Sequence, residues 1–217
     1  MSNVKLSNID VTYVDHMGTD KTIVNSARVS FDSASSSEFT KKDEKLLSYL
    51  ATNDHWSPFA HTSIQLKLKA PIFIARQLVK HQVGGVWNEV SRRYVSSTPE
   101  FYLPNNWRDK PINAKQGSGT DFLNKEINDE VALTIYEYAL TAYTNMVDDG
   151  VCPELARMVL PLGCMTDWYW TGSLMFWARV VKQRSSDHAQ KEARDIAEKI
   201  SLICSELFPI AWKELMI

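Results

Sequence analysis

The sequence predicts an α+β protein in which long helices flank a central, mostly antiparallel sheet. Strand-like and helix-like segments both occur, but they do not follow a regular βαβ alternation. No Gly-x-Gly-x-x-Gly fingerprint is present, which disfavours a doubly wound dinucleotide-binding fold. With 217 residues, 44% of them hydrophobic, and no repeat or Pro/Gly-rich linker, the chain is expected to form a single domain over residues 1–217.

The strand signal is strongest over residues 62–70, where apolar residues occupy every second position. A weaker strand is predicted at residues 10–14. In residues 62–70 the apolar positions are Ile64, Leu66, Leu68 and Ala70. Their alternation with polar residues predicts a half-buried strand there.

Three longer helices are predicted from apolar residues spaced three or four apart. They cover residues 41–53 with Thr40 as the N-cap, residues 122–147, and a last helix from near Asp187 to just before Pro209. The apolar stripe of the second helix consists of Leu123, Ile127, Val131 and Ile135. Such a stripe suits either a core or an interface between subunits. The polar stretches 32–38 and 105–119 are expected to be surface loops.

The composition excludes several classes of protein. A net charge of −2 argues against a non-specific coat for a nucleic acid polymer. No apolar run approaches the ~18 residues of a membrane span, and the first residues lack the apolar core of a signal peptide. The three cysteines show no Cys-x-x-Cys spacing, and no metal-ligand spacing occurs. We therefore expect a cytoplasmic protein with neither a disulfide framework nor a metal.

The first polar cluster lies at residues 74–82. On a helix, Gln77, Lys80 and His81 would share one face, and a bound anion would relieve the repulsion between its cations. A solvated basic face is the alternative.

The following segment, residues 83–94, begins with Gly84 and Gly85, which end a helix and let the backbone approach a ligand. Residues 76–94 together carry four basic residues against one acidic residue, which favours a phosphate-bearing ligand. A surface loop with scattered charges is the alternative.

A second cluster precedes the last helix. Asp187 is a candidate cap, and Arg184 beside the helix start would make an anion site. A surface ion pair between Arg184 and Asp187 is the alternative. His55 and His61 flank a proline turn and could contact a ligand, although packing is a sufficient reason for both.

Taken together, these segments resemble the flavin-dependent thymidylate synthases. The run Asn88-Glu89-Val90-Ser91-Arg92-Arg93-Tyr94 matches the core of that family's signature. Supporting matches lie at residues 27–31, 57–61, 70–77, 100–102 and 156–161, and from Arg184 to Glu192. The chain departs from the signature at Lys80 and Gln82, where the family has arginine. Eight residues rather than seven separate Gln82 from Ser91, and Ala60 replaces a frequent glutamate.

The resemblance implies the reductive methylation of dUMP to dTMP. Methylenetetrahydrofolate would supply the carbon and leave as tetrahydrofolate, while FAD reduced by NADPH would supply the hydride. It also implies a homotetramer with active sites at the subunit interfaces.

The same resemblance implies the roles of individual residues. Arg184 would be catalytic, stabilising negative charge on the uracil ring. The dUMP contacts would be Gln77, Lys80, Glu89, Ser91, Arg92, Arg93, Arg157 and Arg184. The FAD contacts would be Ser30, His55, Ser57, Lys80, His81, Gln82, Glu89, Ser173 and Arg179. Two alternatives stay open: a non-catalytic nucleotide- or RNA-binding protein, and another enzyme that acts on dUMP.

Overall fold

The computed structural model describes residues 4–31, 37–95, 97–112, 117–119 and 121–217. Within them the helices are α1 (Asp20–Arg28), α2 (Lys41–Thr52), α3 (Ile72–Leu78), α4 (Lys125–Asp148), α5 (Pro153–Ala156), α6 (Leu174–Arg184), α7 (Lys191–Leu207) and α8 (Pro209–Leu215). The strands are β1 (Lys5–Leu6), β2 (Asp10–Met17), β3 (Ser63–Pro71), β4 (Gly85–Glu89), β5 (Glu100–Phe101) and β6 (Met165–Gly172). Short 3-10 turns lie at Val29–Phe31, Ser57–His61 and Arg157–Val159.

The central sheet has four strands in the order β2-β3-β6-β4, and all of its pairs are antiparallel. The two short strands β1 and β5 pair in parallel as a separate sheet. The predicted α+β class, with a mostly antiparallel sheet between helices, is therefore confirmed.

The strand predictions are confirmed with shifted ends. β3 covers residues 63–71 instead of 62–70, and its four predicted apolar side chains are fully buried. β2 is longer than predicted and extends to Met17, past a register shift between Tyr13 and Asp15. That irregularity breaks the alternation of apolar and polar residues, which explains why the sequence signal stopped early.

The core lies between the sheet and helices α6 to α8. Its largest fully buried side chains include three indoles, from Trp168 and Trp170 on β6 and Trp177 on α6. The ring centroids of Trp170 and Trp177 are 5.0 Å apart in an edge-to-face arrangement. Fixing β6 against α6 in this way sets the position of the end of α6, where Arg184 lies.

The helix starts differ from the predictions by a few residues. α2 begins at Lys41 after the predicted cap Thr40, but α4 begins at Lys125 rather than at residue 122, because Asn124 is its N-cap. The predicted start of the last helix near Asp187 is wrong, since α7 begins at Lys191 with Gln190 as the N-cap residue. Asp187 instead lies in the exposed turn between α6 and α7, where its carboxylate is 3.8 Å from Arg194.

The apolar stripe of α4 faces away from the core. Leu123, which precedes the helix, and Ile127, Val131 and Ile135 on it have exposed fractions of 50, 60, 60 and 54%. The opposite side of the helix is packed, with Leu140 and Tyr143 buried. Four exposed apolar side chains in one line favour the interface alternative over the core alternative.

The two predicted loops have different outcomes. Residues 32–36 of the first lie outside the described residues. In the second, the described parts lie largely at the surface, as expected, but Arg108 is drawn inward, where its Nη2 alone donates to both carboxylate oxygens of the buried Glu192 at 2.8 and 2.9 Å. No helix in the described part of the chain combines the length and the hydropathy that a membrane span requires.

Asp43 joins α1 to α2 through a buried ion-pair network. Its carboxylate accepts from the Lys21 ammonium at 3.0 Å and from the Thr40 backbone N–H at 2.7 Å, and it pairs with Arg28. Although burial alone would raise its pKa, these donors together hold the pKa of Asp43 at about 2.

We predict that Asp43→Asn lowers the free energy of unfolding by about 3 kcal/mol at pH 7, because two partly buried cations lose their buried partner. Asp43 has a lowered pKa in the folded state, so its stabilisation is present above the ordinary value of 3.8 and disappears as the pH falls through about 2. Urea unfolding at several pH values measures both effects. The exposed Asp187→Asn is the matched control, and an equal loss in the two variants would contradict the assignment.

Candidate functional site

The helix that follows β3 is shorter than the helical pattern of residues 74–82 predicts. α3 ends at Leu78, and the backbone N–H of His81 bonds the Leu78 carbonyl in a tight turn. Lys80 and His81 therefore do not share a helical face with Gln77, and that prediction is wrong. The chain has to turn here because β4 begins at Gly85 and pairs back with β6.

The paired glycines are explained by the turn and by packing. Gly84 has φ +84°, a conformation that side chains disfavour. A Cβ on Gly85 would lie 2.5 Å from the Phe176 ring. The close approach permitted by Gly85 is thus made by Phe176 of α6, and not by a ligand as the sequence suggested.

Arg184, the last residue of α6, is half-buried and held at two atoms. Its Nε donates to His81 Nε2 at 2.9 Å, and its Nη2 donates to the Gln77 carbonyl at 3.0 Å. Both acceptors are neutral. The predicted alternative, an ion pair with Asp187, is not what the structure shows. Arg184 keeps an uncompensated charge at a fixed position.

The protonation states of this pair follow from their surroundings. Burial, followed by the charge of Arg184, lowers the pKa of His81 below its ordinary value. Because Nε2 accepts a hydrogen bond, neutral His81 carries its proton on Nδ1. Burial also lowers the pKa of Arg184, although an arginine stays charged at neutral pH.

A further contact fixes the side chain of Gln77. Its Nε2 donates to Gln190 Oε1 at 2.6 Å, across 113 positions of sequence. We name Gln77, His81, Arg184 and Gln190 the Arg184 cluster. Sequence reasoning missed Gln190 as a site residue, although it stood in a matched stretch beside His188 and Ala189.

A second group of predicted residues lines a cleft of ≈ 400 Å³, which we name the arginine cleft. Glu89, Arg92 and Arg157 lie in its wall, and Arg92 donates to the Ser97 carbonyl at 2.8 Å. Both oxygens of Glu89 are engaged within the chain, at 2.7 Å from Thr166 Oγ1 and 3.1 Å from Trp87 Nε1. Glu89 therefore ties β4 to β6 in addition to facing the cleft.

Two more predicted dUMP residues adjoin the arginine cleft. Arg93 Nε donates to Glu154 at 3.0 Å, and both side chains are half exposed. Arg157 Nε donates to the Glu154 carbonyl at 3.2 Å, so both arginines meet at α5. Ser91 Oγ accepts from the Arg93 backbone N–H at 3.3 Å.

A third group of predicted residues lines two adjoining clefts. Ser30, His55 and Ser57 line a cleft of ≈ 600 Å³ together with Tyr49 and Trp56. A second cleft of ≈ 470 Å³ shares His55 and Trp56 with it, and its wall contains Arg179 and Lys182. We name the two together the His55 clefts. His55 and His61, on either side of the proline turn, thus both line the first cleft.

The remaining predicted residues have other surroundings. Ser173 is the N-cap of α6 and accepts from the Phe176 backbone N–H at 3.2 Å. Lys80 and Gln82 are exposed in the turn after α3. Among the described residues, no group of three or more His, Cys, Asp or Glu is arranged to hold a metal ion.

The predicted site residues thus fall into three groups on one chain. The lining of the arginine cleft does not include Gln77, His81 or Arg184. The linings of the His55 clefts include none of Lys80, His81, Gln82 and Glu89.

Comparison with known proteins decides the family. A family model described as thymidylate synthase complementing protein matches residues 12–210. The flavin-dependent thymidylate synthase of Treponema denticola is 36% identical over 207 residues, which cover 93% of this chain and 76% of the relative. That of Thermus thermophilus is 38% identical over 204 residues, covering 93% of this chain and 73% of the relative. The chain belongs to the flavin-dependent thymidylate synthase family.

A solved structure of similar fold agrees with this assignment. The UMP/dUMP methylase PolB from Streptomyces cacaoi, crystallised with 5-Br dUMP, superposes with a TM-score of 0.85 at 28% identity. The match covers 97% of this chain and 96% of that chain. The family membership and its fold, which the residue motifs implied, are therefore confirmed.

We predict that Arg184→Met raises the pKa of His81, because the cation that opposes protonation is removed while burial remains. In the folded protein the Arg184 contact needs neutral His81, so it is present above the His81 pKa and is lost as the pH falls through it. NMR titration of the His81 ring in both proteins measures the shift. An unchanged pKa would contradict the contact between the two side chains.

Proposed function

We propose that this protein methylates dUMP to dTMP, with methylenetetrahydrofolate as the carbon donor and FAD reduced by NADPH as the hydride source. Tetrahydrofolate and NADP⁺ would be the other products. The observation that carries the proposal is Arg184, a fixed cation whose hydrogen bonds within the described part of the chain go to neutral acceptors at His81 and Gln77, in a chain of this family. The expected location is the cytoplasm.

Arg184 would stabilise the negative charge that the reaction builds on uracil. C5 of the ring is a poor nucleophile until electron density accumulates there. A cation already held in place stabilises that charge without reorganising, which is why such donors contribute about 3 kcal/mol to lowering a barrier. Two of its N–H groups hold the guanidinium in place. The others stay available to donate to the ring oxygens that flank N3.

The arginine cleft would hold the nucleotide's phosphate end. Arg92 and Arg157 line it and Arg93 adjoins it, so three guanidinium groups with fork geometry converge at one end of the sheet. Ser91 and Glu89 would contact the same nucleotide. From the other group, Gln77 and Lys80 would reach it together with Arg184.

The His55 clefts have the chemistry that FAD requires. Tyr49 and Trp56 give flat apolar walls, and the Ser30 and Ser57 hydroxyls give polar contacts. Arg179 and Lys182 supply cations for a diphosphate. Bound FAD would supply the redox step, while the protein supplies position and electrostatics. The proposed FAD contacts are Ser30, His55, Ser57, Lys80, His81, Gln82, Glu89, Ser173 and Arg179.

The separation of the three groups supports a site shared between copies. One chain presents Arg184 and Arg157 in different places, whereas a single nucleotide would need both. The exposed apolar stripe of α4 offers a surface for another copy of this chain. We therefore propose a homotetramer whose active sites lie at the subunit interfaces.

The two alternative functions are less well supported. A nucleotide- or RNA-binding protein would need neither the His55 clefts nor a charge-stabilising arginine. Another enzyme acting on dUMP would not explain the match of residues 12–210 to the family.

We predict that the purified protein forms dTMP from dUMP, methylenetetrahydrofolate and NADPH in an anaerobic assay, and that added FAD raises the rate. Arg184→Ala should lower the rate at least about a hundredfold while flavin absorbance shows that FAD stays bound. The exposed Lys213→Ala on α8 is the control. Undiminished turnover by Arg184→Ala would contradict the role of Arg184, and no dTMP from the wild type would contradict the proposed function.

We also predict that two inactive variants restore activity when they share a tetramer. If Arg184 and Arg157 of one site come from different copies, co-expressed Arg184→Ala and Arg157→Ala chains would form about a quarter of their sites intact. The measured quantity is dTMP formation by the tagged hetero-oligomer, against each variant alone. No recovery in a hetero-oligomer would contradict sites shared between copies.

A further inference from the structure

We propose that Gln190 is a positioning residue that orients the Gln77 carboxamide, so that Gln77 offers its oxygen to a hydrogen-bond donor of the nucleotide. That donor is the uracil N3–H or a deoxyribose hydroxyl, and not a group of the phosphate, which accepts hydrogen bonds from the protein. The identity of the nucleotide rests on the proposed function. The role of Gln190 rests on the contacts below.

The direction of one hydrogen bond determines what Gln77 can recognise. A free glutamine side chain can turn over and present either its oxygen or its amino group. Here the Gln77 Nε2 donates to Gln190 Oε1 at 2.6 Å, which is the one hydrogen bond of this carboxamide within the described part of the chain. With one N–H of its amino group committed to Gln190, the Gln77 carboxamide is fixed in orientation, and its oxygen is left as an acceptor.

The backbone of Gln190 is fixed at the start of α7. It is the N-cap residue of α7, and its carbonyl accepts from the backbone N–H groups of Ala193 and Arg194 at 2.9 and 3.0 Å. Two residues further, buried Glu192 accepts from Arg108 Nη2 at both of its carboxylate oxygens. Arg108 thereby anchors the start of α7, which fixes the backbone position from which the Gln190 side chain reaches Gln77.

Gln77 is also the residue that holds Arg184 in place. Its backbone carbonyl accepts from Arg184 Nη2 at 3.0 Å, while its side chain is oriented by Gln190. The Arg184 cluster therefore offers both a charged donor and an acceptor from adjacent fixed groups. That pair is complementary to a ligand that carries an acceptor and a donor, as the edge of a uracil ring or a nucleoside does. Phosphate offers acceptors alone.

The experiment compares Gln190→Leu, Gln77→Leu and the double variant, with Gln183→Leu as the matched control. Gln183 is exposed and lies next to Arg184 in the sequence. Calorimetry measures the dissociation constants of dUMP and of inorganic phosphate, the latter having neither a ring nor a sugar. Circular dichroism and thermal unfolding check that each variant is folded, and Gln190→Met replaces Gln190→Leu if the latter does not fold.

We expect Gln190→Leu to weaken dUMP binding about tenfold, as the loss of one oriented hydrogen bond does. Phosphate binding should stay unchanged, and the double variant should bind dUMP no more weakly than Gln77→Leu alone, because Gln190 acts through Gln77. The control should match the wild type.

Three results would overturn the inference: unchanged dUMP binding by Gln190→Leu, an equal loss for phosphate, or additive losses in the double variant. Each of these would leave the proposed function standing, since the wild type would still bind dUMP. A wild-type protein that binds no dUMP would overturn the proposed function and this inference with it.

Discussion

The structure of the candidate site depends on a charged arginine whose contacts leave its charge unneutralised. Arg184 is bound by an imidazole nitrogen and a backbone carbonyl, both neutral. A carboxylate in either place would fix the side chain equally well but would cancel the field that a reacting uracil needs. Partial burial of this cation costs free energy, and the two contacts offset part of that cost because each is a charge-assisted hydrogen bond. His81 can serve as such an acceptor only while it is neutral, and its surroundings favour that state.

The fold positions these acceptors beside Arg184 by packing them against a cluster of aromatic rings. Trp170 of β6 contacts Trp177 and Phe176 of α6, and its ring centroid is 6.3 Å from that of His81. The turn after α3 and the first turn of α6 are therefore both packed on the same strand. The glycine at position 85 allows this, since Phe176 occupies the space where a side chain would project. Residues far apart in sequence meet because the sheet, rather than one local helix, brings them together.

Sequence reasoning could predict the fold class, β3 and the three longest helices, α2, α4 and α7, because their apolar periodicity survives in the structure. It failed where a helical pattern or a helix-capping residue lies in a turn of the folded chain. Residues 74–82 have a helical pattern, yet the chain turns after Leu78 to enter β4, so Lys80 and His81 leave the predicted face. Asp187 has the chemistry of a helix cap but lies in a turn before the true cap residue Gln190. The contact between Gln77 and Gln190 could not be predicted, since no periodicity links residues 113 positions apart. The single-domain prediction and the roles of individual site residues stay predictions and proposals.

The grouping of site residues and the exposed stripe of α4 both favour a site completed by a second copy of the chain. A chain that divides its cations between the Arg184 cluster and the arginine cleft can bind a single nucleotide with both if another copy completes the site. The most direct test is a crystal structure of the protein with FAD and 5-Br dUMP. The account predicts a uracil ring within hydrogen-bond distance of the Arg184 guanidinium, and a phosphate on the Arg157 of another copy. A pyrimidine remote from Arg184 in every copy would contradict it.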